Sequence, residues 1–364
     1  MTATDQDVQP AEDPSPEVAP VRAGDELDWN RLEAYLRANI ADLDGEMEAL
    51  QFPYGSANLT YLLRFGPTEL VLRRPPRGTI APGAHDMKRE HKVLSRLWQH
   101  WDKAPRSYLL CEDHDVIGAD FFVMERREGI VIREVLPPEM AHHDRLAERT
   151  GLALADAMAE FHALDPDTCG LADLGRPDGF VERQVSGWKK RWDLAEPADG
   201  LPLMHEVHAR LERAVPTPTR VSFVHNDLKL DNAQFDADDP DRVKSIFDWD
   251  MTTVGDPLID LGTLLIYWPD PADERSRALR EGMDQWGLPT RAALTQRYAT
   301  AAGIDVDQVA WYEAFALWKT AVVIQQLYNR YLEGATQDDR MAQRAYQIGE
   351  RAEAAAAVLT SAGL

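Results

Sequence analysis

The first 126 residues alternate between extended and helical hydrophobic patterns. A helix is predicted over residues 28–40, capped by an Asp or Asn, and residues 56–73 alternate as two strands around a Gly-Pro turn. Residues 86–98 then carry apolar side chains at helical spacing, and residues 120–126 form a short apolar strand. This order of strand, strand, helix and strand predicts a small, mostly antiparallel lobe.

The remaining chain predicts a larger helical lobe that contains an island of strands. Residues 142–164 place their apolar side chains on one helical stripe, and the last third of the chain is again mostly helical. Between these helices, residues 220–224, 233–236 and 243–247 read as short strands joined by polar turns. The predicted fold class is therefore α+β, with an antiparallel-sheet N-lobe and a mainly helical C-lobe.

The amino-terminal segment has a different composition from the rest. Up to Asp28 it holds eight acidic residues against Arg22 alone, with several prolines and few large apolar side chains. Such a composition buries too little apolar surface to offset the entropy of ordering the chain. We therefore expect a disordered acidic arm over residues 1–25, an N-lobe over residues 26–125 and a C-lobe over residues 126–364.

Charge and cysteine content exclude several classes of protein. The formal net charge is -23, whereas a nucleic-acid-binding protein needs clustered Lys and Arg. Two cysteines are too few for a disulfide framework, which favours a reducing, cytoplasmic setting. The chain shows no signal-peptide pattern, and Glu313 and Lys319 interrupt its richest apolar segment, so we expect no membrane span. The oligomeric state cannot be read from the sequence.

The strongest chemical signal is the segment His-Asn-Asp-Leu-Lys-Leu-Asp-Asn at residues 225–232, between two predicted strands. It fits the pattern H-x-D-x-x-x-x-N of phosphoryl-transfer catalytic loops. In such a loop Asp227 would orient the attacking hydroxyl and accept its proton, while Asn232 would bind a metal ion. The alternative is an ordinary polar loop with a turn stabilised by an Asp or Asn side chain.

A second carboxylate, that of Asp248, ends an apolar strand 21 residues after Asp227. A hairpin can return Asp248 to the side of Asn232, and Mg²⁺ prefers such hard oxygen ligands. Asp248 could instead merely end its strand. The catalytic-loop pattern and the strand-end carboxylate together favour phosphoryl transfer.

At this point the chain resembles the aminoglycoside phosphotransferase family of kinase-like enzymes, which includes choline kinases and hydroxyacyl-CoA kinases. Besides the loop and Asp248, the resemblance rests on Gly-Asp-Pro at residues 255–257 and on Asp260. It implies a two-lobed protein-kinase-like fold over roughly residues 30–330, with ATP and Mg²⁺ as cofactors. It also implies that Asp227 is the catalytic base, that Lys229 meets the transferred phosphate, and that Asn232 and Asp248 are the metal ligands.

The same resemblance assigns a nucleotide-binding pair in the small lobe. Arg73 ends a strand whose basic residue contacts the nucleotide phosphates, and Glu90 lies in the helix whose Glu pairs with it. Most relatives carry Lys at this position, and an Arg is not an equivalent donor. The alternative is a solvated basic strand end.

Two further segments resemble nucleotide contacts. Ser56 and Asn58 precede the strand and would lie in the loop over the phosphates, although the glycine pattern of such loops is absent. Met124 would pack beside the adenine or in the core. The backbone groups of Glu125 and Arg127 would meet the adenine edge.

Two alternatives to a small-molecule kinase are a protein kinase and a catalytically silent nucleotide-binding pseudokinase. Only seven residues separate Asp248 from Asp256, which is too few for an activation segment, and neither D-F-G nor A-P-E occurs. A pseudokinase would be expected to lack Asp227, Asn232 or Asp248, and all three are present. We therefore predict transfer to a hydroxyl group of a small molecule.

The sequence leaves two classes of acceptor open. An aminoglycoside would need a carboxylate-lined pocket, which the acidic net charge permits without locating it. A hydroxyacyl-CoA ester would instead suit a basic, aromatic segment at residues 183–192. Four basic residues of that segment are candidate acceptor contacts: Arg183, Lys189, Lys190 and Arg191. A solvated amphipathic helix explains the same segment equally well.

Overall fold

The computed structural model describes most of the chain, in five stretches: residues 17–53, 58–76, 86–273, 282–334 and 339–364. The chain divides into two compact units. The first comprises Met1–His91 and Ser107–Arg126, and the second Lys92–Arg106 and Arg127–Leu364. Residues 92–106, which we expected in the small lobe, group with the second unit.

The first unit is built on a six-stranded antiparallel sheet. Its strands are β1 (Ala19–Pro20), β2 (Met47–Gln51), β3 (Leu59–Phe65), β4 (Thr68–Arg74), β5 (Ser107–Cys111) and β6 (Phe121–Glu125). They lie in the order β1-β2-β3-β4-β6-β5. The helices are α1 (Trp29–Asn39), the first half of α2 (Met87–Leu97) and the single turn α3 (His114–Ile117).

Alternation along the strands creates the core of this unit. Tyr61, Leu63 and Phe65 of β3 are fully buried, and α1 adds Leu32 and Leu36 to the same cluster. The backbone amide at the third position of α1 donates to the side chain of its cap, as the sequence predicts for an Asp at that position. The predicted helix over residues 28–40 and the predicted β3–β4 hairpin are confirmed.

The prediction of a disordered arm is wrong for residues 17–25. Strand β1 pairs with β2, and the backbone amide of Arg22 donates to the side-chain oxygen of Gln51 at 2.9 Å. A sheet edge offers unpaired backbone donors and acceptors, so even a polar, proline-containing segment can be ordered there. Composition alone does not reveal this pairing. Residues 1–16 lie outside the described residues.

The second unit is mainly helical, and this prediction is confirmed. Its main helices are α4 (Leu146–Ala163), α5 (Phe180–Ala195), α6 (Pro202–Arg213), α7 (Leu258–Leu265), α8 (Arg291–Ala302), α9 (Val309–Leu332), α10 (Arg340–Gln343) and α11 (Gln347–Ser361). The strands are β7 (Ile130–Val131), β8 (Ser222–Val224), β9 (Ala233–Phe235), β10 (Val243–Ile246) and β11 (Thr253–Gly255). They form two small antiparallel sheets, β10-β9-β7 and β11-β8.

Helix α9 is the centre of the second unit, packing against α5, α6, α7 and α11. Its contact with α7 depends on Gly262, because a Cβ atom there would lie 2.6 Å from the backbone of Tyr312. This close approach lets the hydroxyl of Tyr312 donate to the buried carboxylate of Asp256, just before α7. The packing thereby fixes the chain that follows the predicted metal-binding hairpin.

The two cysteines and the apolar helices bear on the environment of the protein. Cys111 and Cys169 are both buried free thiols. In the five stretches given above, no helix is long and apolar enough to cross a membrane.

Candidate functional site

The predicted catalytic loop links β8 to β9 and brings three polar side chains together. The side-chain amide of Asn232 donates both to the backbone carbonyl of Asp227, at 2.7 Å, and to its Oδ2, at 2.9 Å. The ammonium of Lys229 forms an ion pair with the same Oδ2. Asp227, Lys229 and Asn232 therefore form one cluster around a single carboxylate.

The electrostatics of this cluster keep its lysine charged. Burial acts to lower the pKa of the Lys229 ammonium, but the neighbouring carboxylates of Asp227 and Asp231 outweigh burial and raise that pKa. The lysine side chain is 17% exposed and that of Asp227 is 26% exposed, so both stay accessible. The site thus offers a carboxylate and a cation side by side.

The strand-end carboxylate returns to the loop as predicted. Strands β9 and β10 pair in antiparallel fashion, and the backbone amide of Phe247 donates to the carbonyl of Asn232 at 2.9 Å. Asp248 follows with φ of 67°, a left-handed conformation that turns the chain sharply at the strand end. The predicted hairpin that brings Asp248 beside Asn232 is confirmed.

His225 braces the loop through both nitrogens of its ring. Its Nε2 donates to the carbonyl of Phe247 at 2.9 Å, which leaves Nδ1 to accept from the backbone amide of Asp227 at 3.3 Å. Burial lowers the pKa of His225, and its ring lies 4.9 Å from that of Trp249. The neutral imidazole therefore ties the catalytic loop to the strand end.

Asp260, in the first turn of α7, anchors the start of the loop. Its two oxygens accept from the backbone amides of His225 and Asn226, each at 2.6 Å, and from Nε2 of His162 at 3.0 Å. Burial acts to raise the pKa of Asp260, but these hydrogen bonds and the nearby imidazoles outweigh it and lower that pKa. Asp260 therefore has a structural role, holding the two residues that precede Asp227.

The support of Asp260 by His162 and Tyr298 was not predicted from the sequence. Nδ1 of His162 lies 2.7 Å from the hydroxyl of Tyr298, so a buried chain of hydrogen bonds runs from α8 through α4 to α7. His162 and Asp260 are 98 residues apart. No local spacing signals such a long-range contact.

The oxygen atoms at the hairpin suit a hard metal ion. Because Nδ2 of Asn232 donates two hydrogen bonds to Asp227, the acceptor atom of this amide that remains to bind a cation is Oδ1. Asp248 adds a carboxylate at the end of the neighbouring strand. Amide and carboxylate oxygens of this kind, with water and phosphate oxygens, are ligands that Mg²⁺ accepts. The donor set therefore fits the predicted ion.

In the first unit, Arg73 of β4 pairs with Glu90 of α2, as the resemblance implies. Glu90 is fully buried and Arg73 nearly so. The guanidinium of the next residue, Arg74, instead donates to the carbonyls of Pro75 and Ile117. Neighbouring positions of a strand face opposite sides, which separates the two arginines.

The other predicted nucleotide contacts differ in their surroundings. Asn58 is 5% exposed, and neither atom of its side-chain amide has a hydrogen-bond partner within the described stretches. Ser56 lies outside the described residues. Met124 is buried in β6, whereas Glu125 and Arg127 are half-buried. The structure assigns these residues no further role.

The basic segment at residues 183–192 forms most of α5. The buried apolar stripe of α5 comprises Val181, Val185, Trp188 and Trp192. The guanidinium of Arg183 donates to two backbone carbonyls before the helix, and Lys189 pairs with Asp193. Lys190 and Arg191 are exposed and have no acidic partner among the described residues. Two of the four candidate acceptor contacts are therefore already engaged by the protein.

Curated proteins are similar in sequence to most of this chain. It is 31% identical over 323 residues to mouse acyl-CoA dehydrogenase family member 10, covering 88% of this chain and 30% of that protein. Its identity to human acyl-CoA dehydrogenase family member 11 is also 31%, over 87% of this chain and 41% of that protein. The chain thus spans less than half the length of these curated relatives.

Solved structures show the same fold. A Ralstonia eutropha protein, provisionally described as an aminoglycoside phosphotransferase, superposes with a TM-score of 0.75 at 27% identity, over 92% of this chain and 99% of that one. Aminoglycoside phosphotransferase APH(4)-Ia, solved with AMP-PNP and hygromycin B, gives a TM-score of 0.56 at 15% identity, over 91% and 99% of the two chains. The predicted protein-kinase-like fold is confirmed.

The sequence profile of the phosphotransferase enzyme family, APH, matches residues 48–312. The matched region contains the catalytic loop, Asp248 and the Asp260 anchor. The chain therefore belongs to the APH phosphotransferase enzyme family.

Proposed function

We propose that this protein is an ATP- and Mg²⁺-dependent O-phosphotransferase that transfers the γ-phosphoryl group of ATP to a hydroxyl group of a small molecule. The observation that carries the proposal is the convergence of Lys229 and Asn232 on the carboxylate of Asp227, beside the hairpin that ends at Asp248. Membership of the APH family supports the reaction class.

Each residue of the cluster has a role in this reaction. Asp227 accepts the proton of the acceptor hydroxyl as the acceptor oxygen bonds to the γ-phosphorus and the bond to the β–γ bridging oxygen breaks, releasing ADP. Lys229 holds its ammonium at the same carboxylate, where it can pair with a phosphoryl oxygen. Asn232 keeps Asp227 oriented through its side-chain amide.

The metal would be held by Oδ1 of Asn232 and the carboxylate of Asp248. When bound, Mg²⁺ neutralises charge on the nucleotide phosphates. The backbone hydrogen bond between Phe247 and Asn232 fixes the spacing of the two ligand-bearing segments. A substitution at either ligand should therefore affect nucleotide binding through the metal.

Nucleotide contacts are proposed in the first unit. The guanidinium of Arg73, held by Glu90, would bind phosphate oxygens, and the unpartnered amide of Asn58, with Ser56, would add further donors. The backbone of Glu125 and Arg127 would meet the adenine edge, and Met124 would pack nearby. Relatives solved with GDP or AMP-PNP support a nucleotide as the phosphoryl donor.

For the acceptor, a hydroxyacyl-CoA ester is favoured over an aminoglycoside. Lys190 and Arg191 present positive charge without acidic partners among the described residues, which suits phosphates and repels a polycation. Arg183 and Lys189 would contribute less, since their own contacts must be broken first. The relatives named above carry the name of acyl-CoA dehydrogenase family members, which supports an acyl-CoA ester as the acceptor.

A screen for acceptor-dependent ADP release tests the proposal. The purified protein would be given ATP and Mg²⁺ with hydroxyacyl-CoA esters, choline-like alcohols and aminoglycosides, and products would be identified by mass spectrometry. We expect ADP release and one added phosphoryl group with hydroxyacyl-CoA esters. ATP binding without release of ADP for any acceptor would favour a silent pseudokinase instead.

A further inference from the structure

Helix α9 carries a lysine whose stem is buried and whose ammonium has no polar partner in the part of the chain that the structure describes. Lys319 is 9% exposed overall, its ammonium keeps some contact with solvent, and no ion pair reaches it within the described stretches. Lysine is almost never buried unless it is paired, because removing its charge from water is unfavourable. A methionine would fill the same space without that penalty, so packing alone does not account for a lysine here.

The surroundings of Lys319 are aromatic and cationic. Its Nζ lies 5.5 Å from the ring of Trp188 on the neighbouring helix α5, and the guanidinium of Arg191 lies 4.4 Å from the same ring. Two cations therefore share one indole, with no carboxylate paired to either in the described stretches. An aminoglycoside, carrying several ammonium groups, would be repelled by this arrangement, whereas an electron-rich oxygen would be attracted.

Lys319 also lies within electrostatic reach of the proposed catalytic base. Burial lowers the pKa of Lys319, while the charges of Asp227 and Asp260 act to raise it and that of Arg191 acts to lower it. Lys319 follows Tyr312 at a spacing of about two helical turns, so the two side chains lie on the same side of α9, and the hydroxyl of Tyr312 donates to Asp256 just before α7. Lys319 thus lies on the side of α9 that is directed toward the start of α7, where Asp260 binds the two backbone amides that immediately precede Asp227.

We infer that Lys319 determines which acceptor is used, an inference that rests on the proposed function. Its ammonium donates a hydrogen bond to the acyl oxygen of the acceptor, which belongs to a carboxylate or to a thioester carbonyl. Trp188 packs against the acyl chain next to that oxygen. Lys319 also discriminates against polycationic acceptors. Because no described residue bonds to the Lys319 ammonium, no bond to those residues has to be broken when the acceptor enters, and the donor stays available.

Lys319→Met tests this inference, since methionine keeps the apolar stem and removes the donor. The matched control is Arg330→Met, which removes one positive charge from an exposed position near the end of the same helix. We expect Lys319→Met to lower kcat/KM for hydroxyacyl-CoA esters by about 10- to 100-fold, the usual effect of losing a hydrogen bond to a charged group. ATP affinity should stay unchanged, and Arg330→Met should behave like the parent.

Three further readouts separate specificity from folding and from the reaction itself. The melting temperature of Lys319→Met should equal or exceed that of the parent, because an unpaired buried amine has been removed. Lys319→Arg should retain more activity with the esters than Lys319→Met. Free hydroxy acids, compared with their CoA esters, show which acyl oxygen is bound.

Calorimetry without nucleotide distinguishes a failure of the inference about Lys319 from a failure of the proposed phosphoryl transfer. Equal affinity of the parent and Lys319→Met for the hydroxyacyl-CoA ester overturns the inference about Lys319, even if transfer is intact. Weaker ester binding by Lys319→Met supports it, even if the parent releases no ADP. That last result would contradict only the proposed reaction.

Discussion

Replacing Asp260 by asparagine tests how the catalytic loop is held. In the folded protein the two carboxylate oxygens of Asp260 accept from the backbone amides of His225 and Asn226 and from His162. Asparagine of nearly the same shape has one acceptor oxygen, and its NH₂ group would face a donor. At least one buried backbone amide therefore loses its partner in Asp260→Asn.

The size of the effect follows from these three bonds. A hydrogen bond to a charged group contributes about 1.5–3 kcal/mol, and a buried donor left unpaired costs about 1–3 kcal/mol. We therefore expect Asp260→Asn to lower the free energy of unfolding by about 3–5 kcal/mol, a large part of the ~5–15 kcal/mol typical of a folded protein. Turnover should fall as well, because the displaced amides belong to the two residues that immediately precede Asp227.

Urea unfolding followed by circular dichroism measures this loss directly. Asp238→Asn is the matched control, since it makes the same chemical change at an exposed turn and should shift the free energy of unfolding by less than about 0.5 kcal/mol. A loss below about 1 kcal/mol for Asp260→Asn, with normal turnover, would refute the anchoring role of Asp260.

The pH dependence of stability provides a second test of the same residue. The pKa of Asp260 is lowered from its ordinary value of 3.8 in the folded protein. Its stabilising contribution is therefore complete above that ordinary value and is lost as the pH falls through the lower, folded pKa. The acid-dependent loss of stability should be smaller in Asp260→Asn than in the parent.

Three other changes have defined outcomes. Deleting residues 1–16 should leave the melting temperature unchanged, whereas deleting residues 1–24 should lower it, because β1 and the bond from Arg22 to Gln51 are lost; equal melting temperatures would show that β1 contributes nothing. Asp248→Ala should abolish the enhancement of ATP affinity by Mg²⁺ in calorimetry, and an enhancement equal to that of the parent would contradict its assignment as a ligand. Arg73→Met should weaken ATP binding by about tenfold or more while leaving acceptor affinity unchanged, and unaltered ATP affinity would remove Arg73 from the nucleotide contacts.

Local patterns made much of the site predictable. Asp227 and Asn232 lie on one short loop, and Asp248 returns through the next hairpin, so sequence spacing constrains where their side chains meet. The helix at Asp28 and the β3–β4 hairpin were predictable for the same reason, since caps and turns are set by neighbouring residues.

Long-range pairing set the limit of prediction. Strands β2 and β5 are five residues each, too short for their alternation to stand out, and β1 is ordered only by the sheet edge beside it. The role of His162 depends on its hydrogen bond to Asp260, which is 98 residues away in the sequence. In the sequence Lys319 only interrupts an apolar helix. Its proximity to Trp188 depends on the packing of α5 against α9, which the sequence does not specify.

Acceptor-dependent ADP production by the parent and by Asp227→Asn tests the central claim most directly. The change removes the proton acceptor and leaves the proposed nucleotide contacts untouched. We expect ADP release with a hydroxyacyl-CoA ester to fall by ~10²–10⁴-fold or more while calorimetry shows nearly unchanged ATP affinity. Near-normal turnover by a folded Asp227→Asn protein would contradict the assignment of Asp227 as the base and, with it, the proposed mechanism.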